Sequence, residues 1–353
     1  MTIPATMRAV LLTGHGDLDR LVLDLAHPTP APGPGEVLVR VDACAVNNTD
    51  VNTRVGWYAQ SDDDAGSWDG AIGFPRIQGA DICGVVAACG EGVAHERIGE
   101  RVLVDPWVRD PDHPGDLLRA RYVGSELDGG YADFAVVPAV NAVPVDAPLS
   151  AVDLASFPTA AETALDMLRR AAVAPGERVL VTGASGGVGA YAVQLARALG
   201  AEPIGVCQPQ KAELVRQLGA IATIDRGVAA DAALEAQGLG PVDVVLDVVG
   251  GDAWPSLLDA LARGGRYAVS GAIAGPHVDL DLRTLYLKDL TLIGATVSAP
   301  EVFRELVGLI ERGAIRPLIA ATYPLEQVHD AQRAFVAKDF VGKIVLDVAG
   351  ERG

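Results

Sequence analysis

Two textures of apolar and polar positions divide this chain. Up to about Ser150, apolar residues come in short runs at 7–12, 37–46, 84–89, 101–104 and 131–137, broken by Gly, Pro and charge. Runs of that length between turn formers predict strands in an irregular β-rich body. Pro28, Pro30, Pro32 and Pro34 argue against regular structure between the first two, and 59–74 reads as a polar loop. Beyond Ser150, apolar strands near 179–182, 203–207, 222–224, 243–249, 266–270 and 290–293 alternate with helix-spaced stretches near 160–171, 188–199, 211–218, 254–263 and 281–288. Such alternation predicts an α/β fold, here a parallel six-stranded sheet with helices on both faces. Helices at 301–312 and around 325–336 and a closing strand at 343–348 follow.

The stretch 178–199 carries the clearest chemistry. Val179, Leu180 and Val181 form an unalternated apolar run, as a strand buried on both faces requires. The turn Ala184-Ser185-Gly186-Gly187-Val188-Gly189 follows, and then Tyr191, Ala192, Leu195, Ala196 and Leu199 recur at helical spacing. A glycine-rich turn between strand and helix is a dinucleotide-binding unit: Gly186 admits a pyrophosphate to the backbone, Gly189 lets helix and strand pack closely, and the helix start offers N–H groups to phosphate. The first glycine of the G-x-G-x-x-G pattern is Ala184 here.

Composition narrows the class. The 353 residues suit two domains, and no apolar run is long enough to span a bilayer. The first residues lack the basic and apolar regions of a signal peptide, so a cytoplasmic protein is expected. Cys44, Cys83, Cys89 and Cys207 have neither disulfide nor zinc-finger spacing. A net charge of −18 argues against nucleic acid and anionic membrane as partners. Histidines 15, 27, 95, 113, 277 and 329 have no ligand-like spacing and read as surface residues.

Several further stretches resemble the medium-chain dehydrogenase/reductase superfamily. Residues 45–58 look like its G-V-N-x-x-D-x-x-x-R-x-G-x-Y segment and 79–86 like its G-x-D-x-x-G-x-V element. Asp247 to Gly251, Gly264 to Gly271 and Val341 to Leu346 match later motifs. The resemblance implies a GroES-like catalytic domain at 1–149, completed by 297–353, and a Rossmann cofactor domain at 150–296, with the active site in the cleft between them. It assigns Thr163, Val249, Gly250, Ser270, Gly271 and Lys343, with the glycine-rich turn, to the cofactor.

Where zinc-dependent members place Cys, His-Glu and Cys, this chain has Asn47, Ala80-Asp81 and Thr159. Zinc needs thiolate, imidazole or carboxylate ligands, so no metal is expected, and Asp81 reads as a buried acid hydrogen-bonded to backbone. The likeness then points to the zinc-lacking quinone oxidoreductase and enoyl reductase branch. The segment 206–211 carries no acid to hold ribose hydroxyls and ends in Lys211. Lys211 matches a 2′-phosphate-binding lysine of relatives, and with Arg226 it favours NADPH. Without metal, polarisation of a carbonyl falls to side-chain donors: Asn47, which is also a residue type that caps turns, Tyr58 as proton donor, and Thr49 of the relay in zinc-dependent relatives. Asp50 and Arg54 read as an ion pair of the scaffold, and the segments 59–74 and 105–128, with Trp68, Trp107 and Tyr122, as the pocket rim. The expected activity is hydride transfer to a small molecule with a conjugated carbonyl, an enone, enoyl compound or quinone. The alternatives are a zinc-type alcohol dehydrogenase and a non-catalytic nucleotide-binding protein. By resemblance the strand at 290–293 pairs with its copy in a homodimer.

Overall fold

The structure is a computed structural model and describes residues 2–58, 66–67, 70–113 and 115–350. Two compact units form, Met1–Thr159 with Pro317–Gly353, and Ala160–Arg316.

The first unit is built on β1 (Thr6–Leu12), β2 (Leu21–Pro28), β3 (Glu36–Ala45), α1 (Asn48–Val55) and β4 (Asp81–Cys89), followed by short strands and α2 (Ala151–Ala155). β2 pairs antiparallel with β1 from Leu12↔Leu21 to Thr6↔Pro28. The prolines therefore exclude regular structure only after Pro28, since the run from Leu21 to His27 precedes them and keeps its backbone donors. The polar stretch 48–55 is helical even though its apolar spacing is weak. Its N-terminus is held by Asp50, whose carboxylate accepts the Asn47 N–H at 2.7 Å. Strand β3 alternates apolar side chains into a core that includes Val39, Val41, Ile82 and Tyr131. The composition changes near Ser150, whereas this unit runs on to Thr159, because α2 packs on β3 and β4.

The second unit carries β5 (Arg178–Val181), α3 (Gly187–Ala198), β6 (Glu202–Cys207), β7 (Ala222–Asp225), β8 (Val242–Asp247), α4 (Trp254–Asp259), β9 (Leu261–Val269) and β10 (Thr291–Gly294). The six strands are parallel, in the order β7-β6-β5-β8-β9-β10. That order reverses direction between β5 and β8, the topological switch point of a doubly wound Rossmann sheet. Leu180, Ile204, Val245 and Tyr267 form its core with Leu257 and Leu258 of α4. α4 ends at Asp259 and β9 starts at Leu261, so the helix read from sequence to 263 stops a turn early.

The return adds β11 (Ile319–Pro324) and β12 (Lys343–Asp347) to the first unit. β12 lies between β11 and β3, antiparallel to β3. A strand distant in sequence thereby closes the sheet beside the start of α1. The chain has an α/β fold with a GroES-like β-rich part and a Rossmann part.

Candidate active site

In the first unit, α1 begins directly after β3, and Asn47 sits at its N-cap with extended backbone. An asparagine there normally turns its carbonyl onto a first-turn N–H. Here Asn47 faces the Asp50 N–H in a capping box but makes no close cap bond. Its Oδ1 instead accepts a short hydrogen bond from the ammonium of Lys343, and its Nδ2 is buried without a partner. Lys343 itself is 2% exposed. Its Nζ also donates to Asp81 Oδ2 at 2.9 Å, while Asp81 Oδ1 accepts the Thr159 N–H at 2.7 Å. Strands β12 and β4 flank β3, so the lysine and the aspartate converge on the end from which α1 departs.

A second buried carboxylate supports this one. Asp50 accepts the Asn47 N–H at 2.7 Å, the Tyr131 hydroxyl at 3.0 Å and the Gly79 N–H at 3.1 Å. Burial raises its pKa to about 6, against the lowering pull of the Asn47 N–H and the Tyr131 hydroxyl. Gly79 has φ +97°, and a Cβ there would meet Tyr131 Cδ1 at 2.4 Å, so only glycine brings its N–H to the carboxylate. The expected Asp50–Arg54 pair does not form. Arg54 turns away to Gln332, the Gly16 carbonyl and Asp17, because Asp50 already faces inward onto backbone donors.

Tyr58 accepts a hydrogen bond from Asn52 Nδ2 at 3.2 Å, and burial raises its pKa, so the phenol stays protonated at neutral pH. Thr49 lies half-buried in the first turn of α1. Trp107 and Tyr122 are buried against each other, with ring centroids 4.7 Å apart, and the Tyr122 hydroxyl lies 2.8 Å from Thr159 Oγ1. Trp68 and residues 59–65 lie outside the described residues. Of the histidines, His15 and His329 are tied to the carbonyls of Thr53 and Leu21.

The family position for zinc can be tested on its donors. Asn47, Ala80 and Thr159 provide no thiolate, imidazole or carboxylate, and Asp81 is already paired with an ammonium. Among the described residues no three His, Cys, Asp or Glu side chains converge as a metal site. The donor set does not fit zinc.

In the second unit, the cofactor candidates gather at the carboxyl ends of the strands, where open α/β sheets bind ligands. Gly186 is the N-cap of α3, with no side chain capping the first turn, so those N–H groups are available to an anion. A Cβ on Gly189 would fall 2.2 Å from the Gly183 carbonyl oxygen, so helix and loop touch backbone to backbone. Ala184, Ser185, Gly187 and Val188 complete that turn. Beside it, buried Asp247 accepts the N–H groups of Val249 at 2.8 Å and Gly250 at 3.2 Å, together with the hydroxyls of Thr182 and Tyr267. Ser270 N–H donates to the Asp247 carbonyl, which places Ser270 and Gly271 at the end of the adjoining strand. Lys211 follows β6, and the Arg226 N–H donates to the Cys207 carbonyl at 3.1 Å, tying the loops after β6 and β7 together. Thr163 is half-buried on a helix of this unit, Pro158–Arg170.

Lys343, grouped by sequence with the cofactor residues, belongs to the first unit. A buried ammonium bonded to Asn47 and Asp81 is committed within the first unit. Asp247, the residue that shapes the loop 248–250, was visible only as part of a motif.

These features define an oxidoreductase-type Rossmann unit joined to a GroES-like unit. Residues 33–147 match the alcohol dehydrogenase GroES-like domain family, and residues 187–312 match the family described as zinc-binding dehydrogenase. The chain belongs to the medium-chain dehydrogenase/reductase superfamily. It is 31% identical to an acryloyl-coenzyme A reductase of Metallosphaera sedula, over 96% of this chain and 99% of that one. It is 29% identical to the quinone oxidoreductase of Rattus norvegicus, over 96% and 97%. A crystal structure from Sinorhizobium meliloti 1021, provisionally described as an alcohol dehydrogenase, superposes with a TM-score of 0.91 at 49% identity, covering 98% of this chain and 97% of that one. Among the described residues no helix is long and apolar enough to cross a membrane.

Proposed function

We propose that this protein is a zinc-independent, NADPH-dependent reductase of small molecules bearing a conjugated carbonyl. The observation that carries the reading is the buried Asn47 amide, held by Lys343 with its Nδ2 unpartnered where zinc-dependent members have a ligand. A neutral donor, backed by a cation, can stabilise negative charge developing on a carbonyl oxygen. The names of the acryloyl-coenzyme A reductase and quinone oxidoreductase relatives support an electron-poor conjugated acceptor.

Bound NADPH would supply hydride. Its pyrophosphate would rest on the first turn of α3, and its 2′-phosphate would take Lys211 and Arg226, with no carboxylate in 206–211 to compete. Ser270, Gly271 and the Val249–Gly250 loop would line the same strand ends. Asn47 would receive the substrate oxygen. Tyr58, protonated at neutral pH, would return a proton to the carbon left negative after hydride addition. Exposed β10 ends its sheet, and Leu292 on it is exposed, as are Leu282, Tyr286 and Leu287 earlier in the chain. A second copy pairing there would give the homodimer, which light scattering measures. Charge of −18 disfavours nucleic acid and anionic membrane, and the protein would act in the cytoplasm.

The test is label transfer from NADPH deuterated on the transferred position, offered to a panel of enones, enoyl thioesters and quinones. A C–D bond at the β-carbon of a saturated product supports the enone or enoyl reading, and quinone loss without such a product supports the quinone version. Coenzyme binding with no turnover of any member would sink the proposal and favour a non-catalytic nucleotide-binding role. Turnover of simple alcohols dependent on added zinc would favour the alcohol dehydrogenase reading.

A further inference from the structure

Lysine offers only donors, so the Asn47 atom facing Lys343 must be the carbonyl Oδ1, and the amide orientation follows from chemistry. Asn47 is also fixed through its main chain, since its N–H is spent on Asp50. The side chain faces the Asp50 N–H in a capping box, yet its close hydrogen bond goes to Lys343. Nδ2 is left buried with two N–H bonds unmatched, in a residue 6% exposed. A buried donor without an acceptor is destabilising, and such exceptions mark positions where a ligand atom belongs. Asp81, fully buried and anchored by the Thr159 N–H, neutralises the ammonium and keeps it in place.

We propose that Lys343 is a positioning residue that takes over the orienting charge a metal would provide: its ammonium locks the Asn47 amide with Nδ2 turned toward the substrate oxygen. Accepting from a cation also polarises the amide, which strengthens its N–H groups as donors. The ligand class is an oxygen acceptor whose negative charge grows during reaction. The inference rests on the proposed carbonyl reduction for its kinetic part only.

Two variants test it, Lys343→Met and Lys343→Met/Asp81→Asn, the second avoiding an unpaired buried carboxylate. In crystal structures of either, the Asn47 Oδ1 is expected to leave the position it holds against Lys343. An amide unmoved from its wild-type orientation in a folded variant overturns the proposal, with no appeal to activity. In turnover, kcat is expected to fall roughly 10²-fold with the dissociation constant for NADPH unchanged. Asn47→Ala is expected to lose the same factor, and the two changes combined no more than either alone, since both remove one donor. Losses that multiply overturn the proposal, while Lys343→Arg, which keeps a donor cation, should recover part of kcat. If wild-type protein reduces no carbonyl compound, the functional reading fails and the crystallographic result still decides the role of Lys343.

Discussion

Replacing Asp50 by asparagine probes the balance between burial and hydrogen bonding under the candidate site. Asp50 takes three donors, from Asn47, Gly79 and Tyr131, at 2.7–3.1 Å. An amide can accept with one end only, so one or two of these buried donors lose their partner, at about 1–3 kcal/mol each. Against this stands the desolvation of the carboxylate, which lifts its pKa from 3.8 to about 6. A folded pKa above the unfolded one means the native state holds the proton more tightly. The stability this contributes is complete below pH 3.8 and is lost as pH rises through about 6. A shift of roughly two units corresponds to about 3 kcal/mol, and asparagine does not titrate. Near pH 4 the acid is protonated and itself accepts fully with one oxygen, so Asp50→Asn is expected to be only about 1–2 kcal/mol less stable than wild type there, with wild type losing up to about 3 kcal/mol relative to the variant by pH 7.5. Urea unfolding followed by tryptophan fluorescence suits the measurement, because among the described residues Trp57 and Trp107 belong to the first unit and Trp254 to the second. Titrations shared by the two proteins cancel in the difference. A gap that is constant across this range, or that widens with pH, would refute the argument.

Two predictions concern the second unit. Gly189→Ala places a methyl group 2.2 Å from the Gly183 oxygen, a backbone atom that cannot turn aside. It should weaken NADPH binding by about tenfold or more and destabilise this unit by about 1–3 kcal/mol, read by coenzyme fluorescence and thermal melting; wild-type values in both would contradict the packing reading. Lys211→Ala and Arg226→Ala should each lower the affinity for NADPH by about tenfold and leave that for NADH unchanged. An unaltered ratio between the two coenzymes would remove these cations from the 2′-phosphate.

What could be read along the chain was what neighbouring residues decide together. The strand, glycine-rich turn and helix at 178–199 lie in one contiguous stretch, and apolar runs alternating with helical spacing imply a parallel sheet without reference to any distant partner. Signals with competing local interpretations failed: the prolines after Pro28 obscured β2, and the polar composition of 48–55 concealed a helix held by its N-terminal carboxylate. Asp81 was readable as a buried acid bonded to backbone, but its ion pair was not.

The site chemistry belonged to tertiary structure. Lys343 meets Asn47 and Asp81 across 296 and 262 residues, because β12 inserts beside β3 only once the return segment folds back. Whether an ammonium faces solvent, a phosphate or a buried amide depends on that pairing, and no periodicity in the closing strand encodes it. Local sequence determined which elements form, since backbone sterics and side-chain spacing act over a few residues. Only the closed sheet decided that a charged side chain would be desolvated and turned onto an asparagine, because burial is a property of the assembled neighbours.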